Sequence, residues 1–285
     1  MLLKVEIKLK SVMANKKYSI GVFDSGFGGL QILRHIVKIL PQYNYIYLGD
    51  TARTPYGSRS QEVVFNFTIQ AVDFLFKNNC WLIILACNTA SSEALRKIQR
   101  EYLPKHYPKT KVLGVIIPTA EEAVKMAKKR VGVIATEGSV ASKTFVKELK
   151  KLNPHIEVFQ QSCPLLVPLV EANEENSPAA DLILKNYLQP LIKKDIDTLI
   201  LGCTHYGILE NKIREITKNK IAIINEGEIV GRKLKDYLKR HPEIEQNLSK
   251  ESKIKFFTTD LTDKFKDLGS KFFGKKILPE KVTLK

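Results

Sequence analysis

The 285-residue sequence predicts an α/β protein made of two pseudosymmetric doubly wound α/β domains with parallel sheets and a cleft between them. Three observations predict it. Segments with helical and with strand periodicity alternate along the chain, the rhythm of βαβ units. The strand segments are near-continuous runs of Leu, Ile and Val, as in parallel sheets covered on both faces. The pattern also restarts. Gly21-Val22-Phe23-Asp24-Ser25-Gly26 has a counterpart in Gly132-Val133-Ile134-Ala135-Thr136-Glu137-Gly138, and the run ending at Cys87 has one in the run ending at Cys203. The glycine-valine pairs lie 111 positions apart and the cysteines 116. Glycine-terminated strands occur in any α/β protein; the nearly equal offsets are what favour duplication.

In order, the pattern predicts a strand over 18–23, an amphipathic helix over 30–40, and a strand over 45–48 that ends at Gly49-Asp50. Helical spacing over 62–76 precedes the strand that delivers Cys87. A helix over 91–102 is expected to stop at Leu103-Pro104, and a strand over 111–117 to stop before Pro118. The later chain carries the Thr198–Gly202 run, two amphipathic segments within 230–273, and a strand over 254–257. These elements divide into a first domain, 18–113 with 225–274, carrying Cys87, and a second, 114–224, carrying Cys203. Residues 1–17 read as an N-terminal extension open to disorder, with Met13 as an alternative start, and 275–285 as a frayed tail.

Composition bounds the function. Hydrophobic residues make up 44% and charged residues 27%, as in ordinary globular proteins. No stretch reaches the roughly 18–20 apolar residues of a membrane span. The first residues alternate apolar and charged, unlike a secretory signal, so the four cysteines read as reduced thiols in a cytoplasmic protein. The formal charge of +16 comes mainly from lysines spread along the chain, which reads as a solvated surface rather than a nucleic-acid interface.

Four motifs carry chemistry. Asp24-Ser25-Gly26-Phe27-Gly28-Gly29 leaves a strand and enters a helix; it lacks the order of a dinucleotide fingerprint or a phosphate loop and suits a small carboxylate ligand. Asp24 is equally readable as a base-orienting carboxylate or as a turn and cap device. Pro55-Tyr56-Gly57 forms a turn able to present amides and a phenol, or simply a surface turn. In Cys87-Asn88-Thr89 the thiol sits before a helix whose N-terminus is expected to lower its pKa. In Cys203-Thr204-His205 the imidazole stands two residues from the thiol. Either cysteine alone is as readily a buried apolar residue. Cys80 and Cys163 lack such neighbours and read as structural. His35, His106, His155 and His241 read as surface or packing residues, and no pair has zinc-ligand spacing.

Taken together and in order, residues 21–29, 55–57, 86–91 (Ala-Cys-Asn-Thr-Ala-Ser) and 202–206 (Gly-Cys-Thr-His-Tyr) resemble the glutamate racemase family, from about residue 18 to 273. The resemblance implies a cofactor-independent enzyme, with no metal, that makes D-glutamate for peptidoglycan and is a homodimer. It casts Cys87 and Cys203 as acid/base residues on opposite faces of the substrate, with Asp24 assisting Cys87 and His205 assisting Cys203. It implies substrate contacts from Asp24, Ser25, Tyr56, Gly57, Asn88, Thr89, Thr136, Thr204 and His205, with Glu171 near the second cysteine. Two departures stand out: Gly207 where the family has proline, and Asn225-Glu226 where an Asp-containing version is commoner. The rival readings are an aspartate or hydantoin racemase, a single-thiol hydrolase or transferase, and a basic nucleic-acid-binding protein.

Overall fold

A computed structural model describes residues 17–285; the expectations for the N-terminal extension fall on 1–16, outside the described residues. Ten parallel strands follow: β1 (Ser19–Asp24), β2 (Tyr45–Gly49), β3 (Cys80–Leu85), β4 (Lys111–Gly114), β5 (Arg130–Ala135), β6 (Glu157–Ser162), β7 (Thr198–Gly202), β8 (Ala222–Ile224), β9 (Ile254–Thr258) and β10 (Pro279–Lys281). They make a six-stranded sheet in the order β10-β9-β2-β1-β3-β4 and a four-stranded sheet in the order β6-β5-β7-β8.

Within each sheet the first four strands of its half take one order, second-first-third-fourth. The register repeats as well. Gly21 on β1 pairs with Ile83, four residues before Cys87, and Gly132 on β5 pairs with Leu199, four residues before Cys203. Each cysteine thus leaves the strand beside the first strand of its sheet, where a doubly wound sheet reverses its winding and opens a crevice.

The apolar runs explain the layering. Ile20 and Val22 of β1 join the core under the helix α1 (Gly29–Ile39), whose Leu30, Leu33 and Ile36 are buried at helical spacing. Phe23 joins the opposite core, under α2 (Gln61–Lys77). After β3 come α3 (Asn88–Glu93) and an irregular helical run to His106. Around the second sheet lie α4 (Ile116–Met126), α5 (Glu137–Ser142), α6 (Thr144–Leu152), α7 (Leu166–Glu171), α8 (Pro178–Ile192) and α9 (Glu210–Ile216). The chain then returns through α10 (Glu226–Arg240) and α11 (Asp263–Phe273). No helix among the described residues is long and apolar enough to cross a membrane.

Three elements differ from expectation. The helix after Cys87 starts at Asn88 and does not stop at Pro104, which lies in the first turn of Leu103–His106. Likewise β4 ends at Gly114, and Pro118 falls in the first turn of α4. Proline's missing N–H has no intrahelical partner in a first turn, so it starts helices as readily as it ends strands. The tail does not fray. β10 adds to β9, the Val282 amide donates to the Thr258 carbonyl at 2.8 Å, and Val282 and Leu284 pack on the core. It covers the strand edge that β9 would otherwise leave open.

Candidate active site

The carboxyl ends of the two sheets face one another across a narrow cleft of about 80 Å³. On the first side, the amides of Ala86 and Cys87 both donate to the Phe23 carbonyl, at 2.8 and 3.4 Å, which sets Cys87 beside the end of β1. Cys87 caps α3, its sulfur accepting from the Ala90 amide at 3.5 Å, and the Ser25 hydroxyl stands 3.4 Å from the same sulfur. On the second side, Cys203 follows β7 into a tight turn, its carbonyl accepting from the Tyr206 amide at 3.0 Å.

A chain of side chains runs behind Cys203. His205 Nδ1 lies 3.9 Å from its sulfur, and His205 Nε2 lies 3.2 Å from Glu171 Oε1 at the end of α7. The edge of Phe272 packs on the imidazole at 5.5 Å between ring centres. A buried imidazole held between a carboxylate and a thiol has its orientation and its proton positions constrained.

The two sides touch through hydroxyls. Thr89 Oγ1 and Thr136 Oγ1 are 2.9 Å apart, and Thr136 also caps α5 by accepting from the Ser139 amide. The Gly57 carbonyl accepts from the Gly138 amide at 2.9 Å. Gly28 matters for the same approach: a Cβ there would meet Thr204 Oγ1 at 2.2 Å and His205 Nδ1 at 2.9 Å.

Ser25, Tyr56, Gly57, Cys87, Asn88, Thr89, Thr136, Cys203, Thr204 and His205 all line this cleft. Asp24 sits behind the wall instead. It is fully buried, accepting from the Gly26 amide at 2.8 Å and from Thr204 Oγ1 at 3.3 Å. Its side-chain hydrogen-bond partner is therefore on the Cys203 side, while Ser25 takes the place beside the Cys87 sulfur. Tyr56 lines the cleft, but its ring packs between Phe23 and Phe67 and its phenol donates to Asp50, which also accepts from Arg53 Nε at 2.7 Å and Thr259 Oγ1 at 2.8 Å. The turn is thus a buried anchor rather than a free phenol.

The electrostatics reverse one expectation. Burial pushes the Cys87 thiol up to about 11, with the Asp24 charge adding and hydrogen bonds from Ser25 and Ala90 opposing. Burial drives Cys203 well above the usual thiol range, and the charges of Cys87, Asp24 and Glu226 add to it. A single helix N-terminus and a few hydrogen bonds do not offset removal from water. Burial also raises Asp24, opposed first by His205.

Two residues were missed by sequence reasoning. Cys163, read as structural, lines the cleft at the end of β6, its thiol donating to the Gln161 carbonyl at 3.6 Å. No apolar run leads to it, since β6 is an edge strand of mixed character. Glu226, noted only as a departure from pattern, is buried and accepts from the Asn88 side-chain amide at 2.7 Å. Cys80 is buried beneath β1, away from the cleft. Among the described residues no group of three or more His, Cys, Asp or Glu side chains is arranged to hold a metal ion.

Comparison with known proteins shows the family and the fold. The family model for Asp/Glu/Hydantoin racemase matches residues 20–230. The chain is 38% identical over 261 residues to glutamate racemase of Geobacter metallireducens, covering 91% of this chain and 94% of that one. It superposes with a TM-score of 0.85 and 33% identity on glutamate racemase of Francisella tularensis, solved in complex with D-glutamate, covering 94% and 98% of the two chains. For glutamate racemase isoform RacE1 of Bacillus anthracis the TM-score is 0.86 at 36% identity, covering 95% and 99%. A family match across most of the chain, with relatives matched nearly end to end, means that the chain belongs to the glutamate racemases of the Asp/Glu/Hydantoin racemase family.

Proposed function

We propose that the protein interconverts L- and D-glutamate by two-base proton transfer between Cys87 and Cys203. The observation that carries this reading is the lining of one narrow cleft by two thiols from matching strand ends of two like sheets. Racemisation removes the α-proton from one face of the substrate carbon and returns a proton to the other. It needs one base and one acid of similar strength in opposite protonation states. A Cys thiolate takes the proton and becomes a thiol; the opposite thiol gives its proton to the carbanion and becomes the thiolate, so the next turnover starts from the other hand.

Both thiols are held neutral by burial, so a thiolate has to be stabilised within the cleft when the substrate arrives. The substrate's α-ammonium group is the natural counter-charge in a dry site. In this reading His205, backed by Glu171, exchanges protons with Cys203. Ser25 donates to the Cys87 thiolate, and Asp24 tunes Cys87 through its charge and holds Thr204. Asn88, Thr89, Thr136 and Thr204 meet the substrate's carboxylates, with the backbone of Tyr56 and Gly57 closing the wall.

Exchange of the α-hydrogen for deuterium, followed with L- and D-glutamate and with both aspartates, tests the proposal. Exchange and inversion with glutamate are expected; exchange confined to aspartate overturns the substrate, and none with either overturns the chemistry. We extend the reading to a cytoplasmic homodimer that supplies D-glutamate for peptidoglycan. Rescue of a D-glutamate-requiring bacterial strain and sedimentation of the purified protein check those two parts.

A further inference from the structure

Behind Asn88, which lines the cleft, lies a buried carboxyl that the two-cysteine scheme does not use. Glu226 opens α10, and its Oε2 accepts from Asn88 Nδ2 at 2.7 Å. Its Oε1 accepts from Thr119 Oγ1 of α4 at 3.3 Å. The other end of the amide, Asn88 Oδ1, is buried and has no protein partner. A carbonyl oxygen without a donor at the wall of a carboxylate site is unfavourable twice, as an unsatisfied group and as a negative dipole towards an anion.

We propose that Glu226 is a positioning residue whose proton decides which end of the Asn88 amide faces the substrate. The inference rests on the racemase reading of the cleft given above. With Glu226 ionised, its Oε2 holds the Asn88 NH2 and leaves the carbonyl for the cleft. With Oε2 protonated, Glu226 donates to Asn88 Oδ1 after the amide turns over, and the NH2 is presented to a substrate carboxylate. The two orientations have the same shape, and the Thr119 hydroxyl, which also reaches the Val115 carbonyl at 2.7 Å, stays beside Oε1 in both.

The surroundings favour the protonated form. Burial raises the carboxyl to about 8, opposed by the hydrogen bonds from Asn88 and Thr119. The charged groups of the packed elements are otherwise engaged. Glu121 and Glu122 of α4 pair with Lys233 and Arg232 of α10, and Glu210 accepts from Asn225. His35 of α1 packs against Gly227, and across the cleft the Cys203 thiol feels the Glu226 charge.

The experiment measures kcat and KM for L-glutamate against pH in the native enzyme and in Glu226→Gln, whose amide donates to Asn88 Oδ1 at every pH. Apparent affinity falls with the fraction of competent protein, so the native KM relative to that of E226Q should rise about tenfold between about pH 7 and about pH 9. E226Q should match the native KM at the acid end. Superimposable profiles, or an E226Q KM raised at all pH values, overturn the inference. Thr119→Val, which removes a donor to the ionised carboxyl, should move the native midpoint upward; an unmoved midpoint counts against it. Should E226Q not fold, Thr119→Val and the infrared band of a protonated carboxylic acid in the native protein, lost over the same pH range, decide. Absence of glutamate racemisation in the native protein rejects the function itself, whereas racemisation with unchanged profiles rejects only the role of Glu226.

Discussion

The hydroxyls of Thr89 and Thr136 stand 2.9 Å apart, one in the helix turn that follows β3 and the other directly after β5, and they join the walls of the cleft. Thr136 makes this contact while it caps α5. Thr136→Val should therefore lose both the bridge and the cap, lowering stability by about 1 kcal/mol and raising KM for glutamate. Thr136→Ser should restore most of each. Thermal unfolding and steady-state kinetics of the two variants separate the effects.

Cys87→Ala and Cys203→Ala should each lower kcat by about 10²–10⁴-fold, the usual contribution of a positioned acid or base. Folding should be unaffected beyond the loss of one small buried side chain. Near-native racemisation after removal of either thiol rejects the two-base scheme.

Glu171→Gln should weaken the chain from Glu171 through His205 to Cys203. The two enantiomers have equal free energy, so kcat/KM must fall by the same factor in both directions. The individual kcat values are free to diverge, because Cys203 is the base in only one direction. Paired progress curves from L- and D-glutamate measure the split; unchanged kcat in both directions removes Glu171 from the scheme.

At Gly28 even a methyl group would overlap Thr204 and His205. Gly28→Ala is expected to push this turn away from the first sheet and to lower kcat/KM at least tenfold, about 1.4 kcal/mol in transition-state stabilisation. A crystal structure of the variant would show the displaced Thr204. Unaltered kinetics would mean that the two turns separate without consequence.

Burial raises the Glu93 carboxyl from 4.5 to about 7, and its Oε2 has no partner. A raised carboxyl binds its proton more tightly in the folded state than in the unfolded one, so it adds stability below about pH 4.5 that is lost as pH climbs through about 7. Glu93→Gln should flatten the fall of the melting temperature over that window. A variant with the native pH dependence would assign the fall elsewhere, to Glu226 first.

Much of the fold was written in local pattern. Leu and Ile runs ending at Cys87 and Cys203 marked buried strands, and the alternation of periods marked the helices between them. Prolines misled at Pro104 and Pro118, because a proline that ends one element locally is also suited to open the next helix. The tail misled because nothing within residues 279–281 announces a strand; it is the open edge of β9 that makes it one.

At the site, the sequence by itself determined the chemical types: two thiols, an imidazole, and the hydroxyls and amide that follow strand ends. These depend on neighbours in the chain. Only the tertiary structure decided their partners: Asp24 with Thr204 rather than Cys87, Tyr56 with Asp50, Glu171 with His205, and Glu226 with Asn88 across 138 positions. Burial likewise decided the sign of the Cys87 shift. Hydrogen bonds and desolvation act over a few ångströms of space, and the fold, not the order of residues, sets which groups come that close.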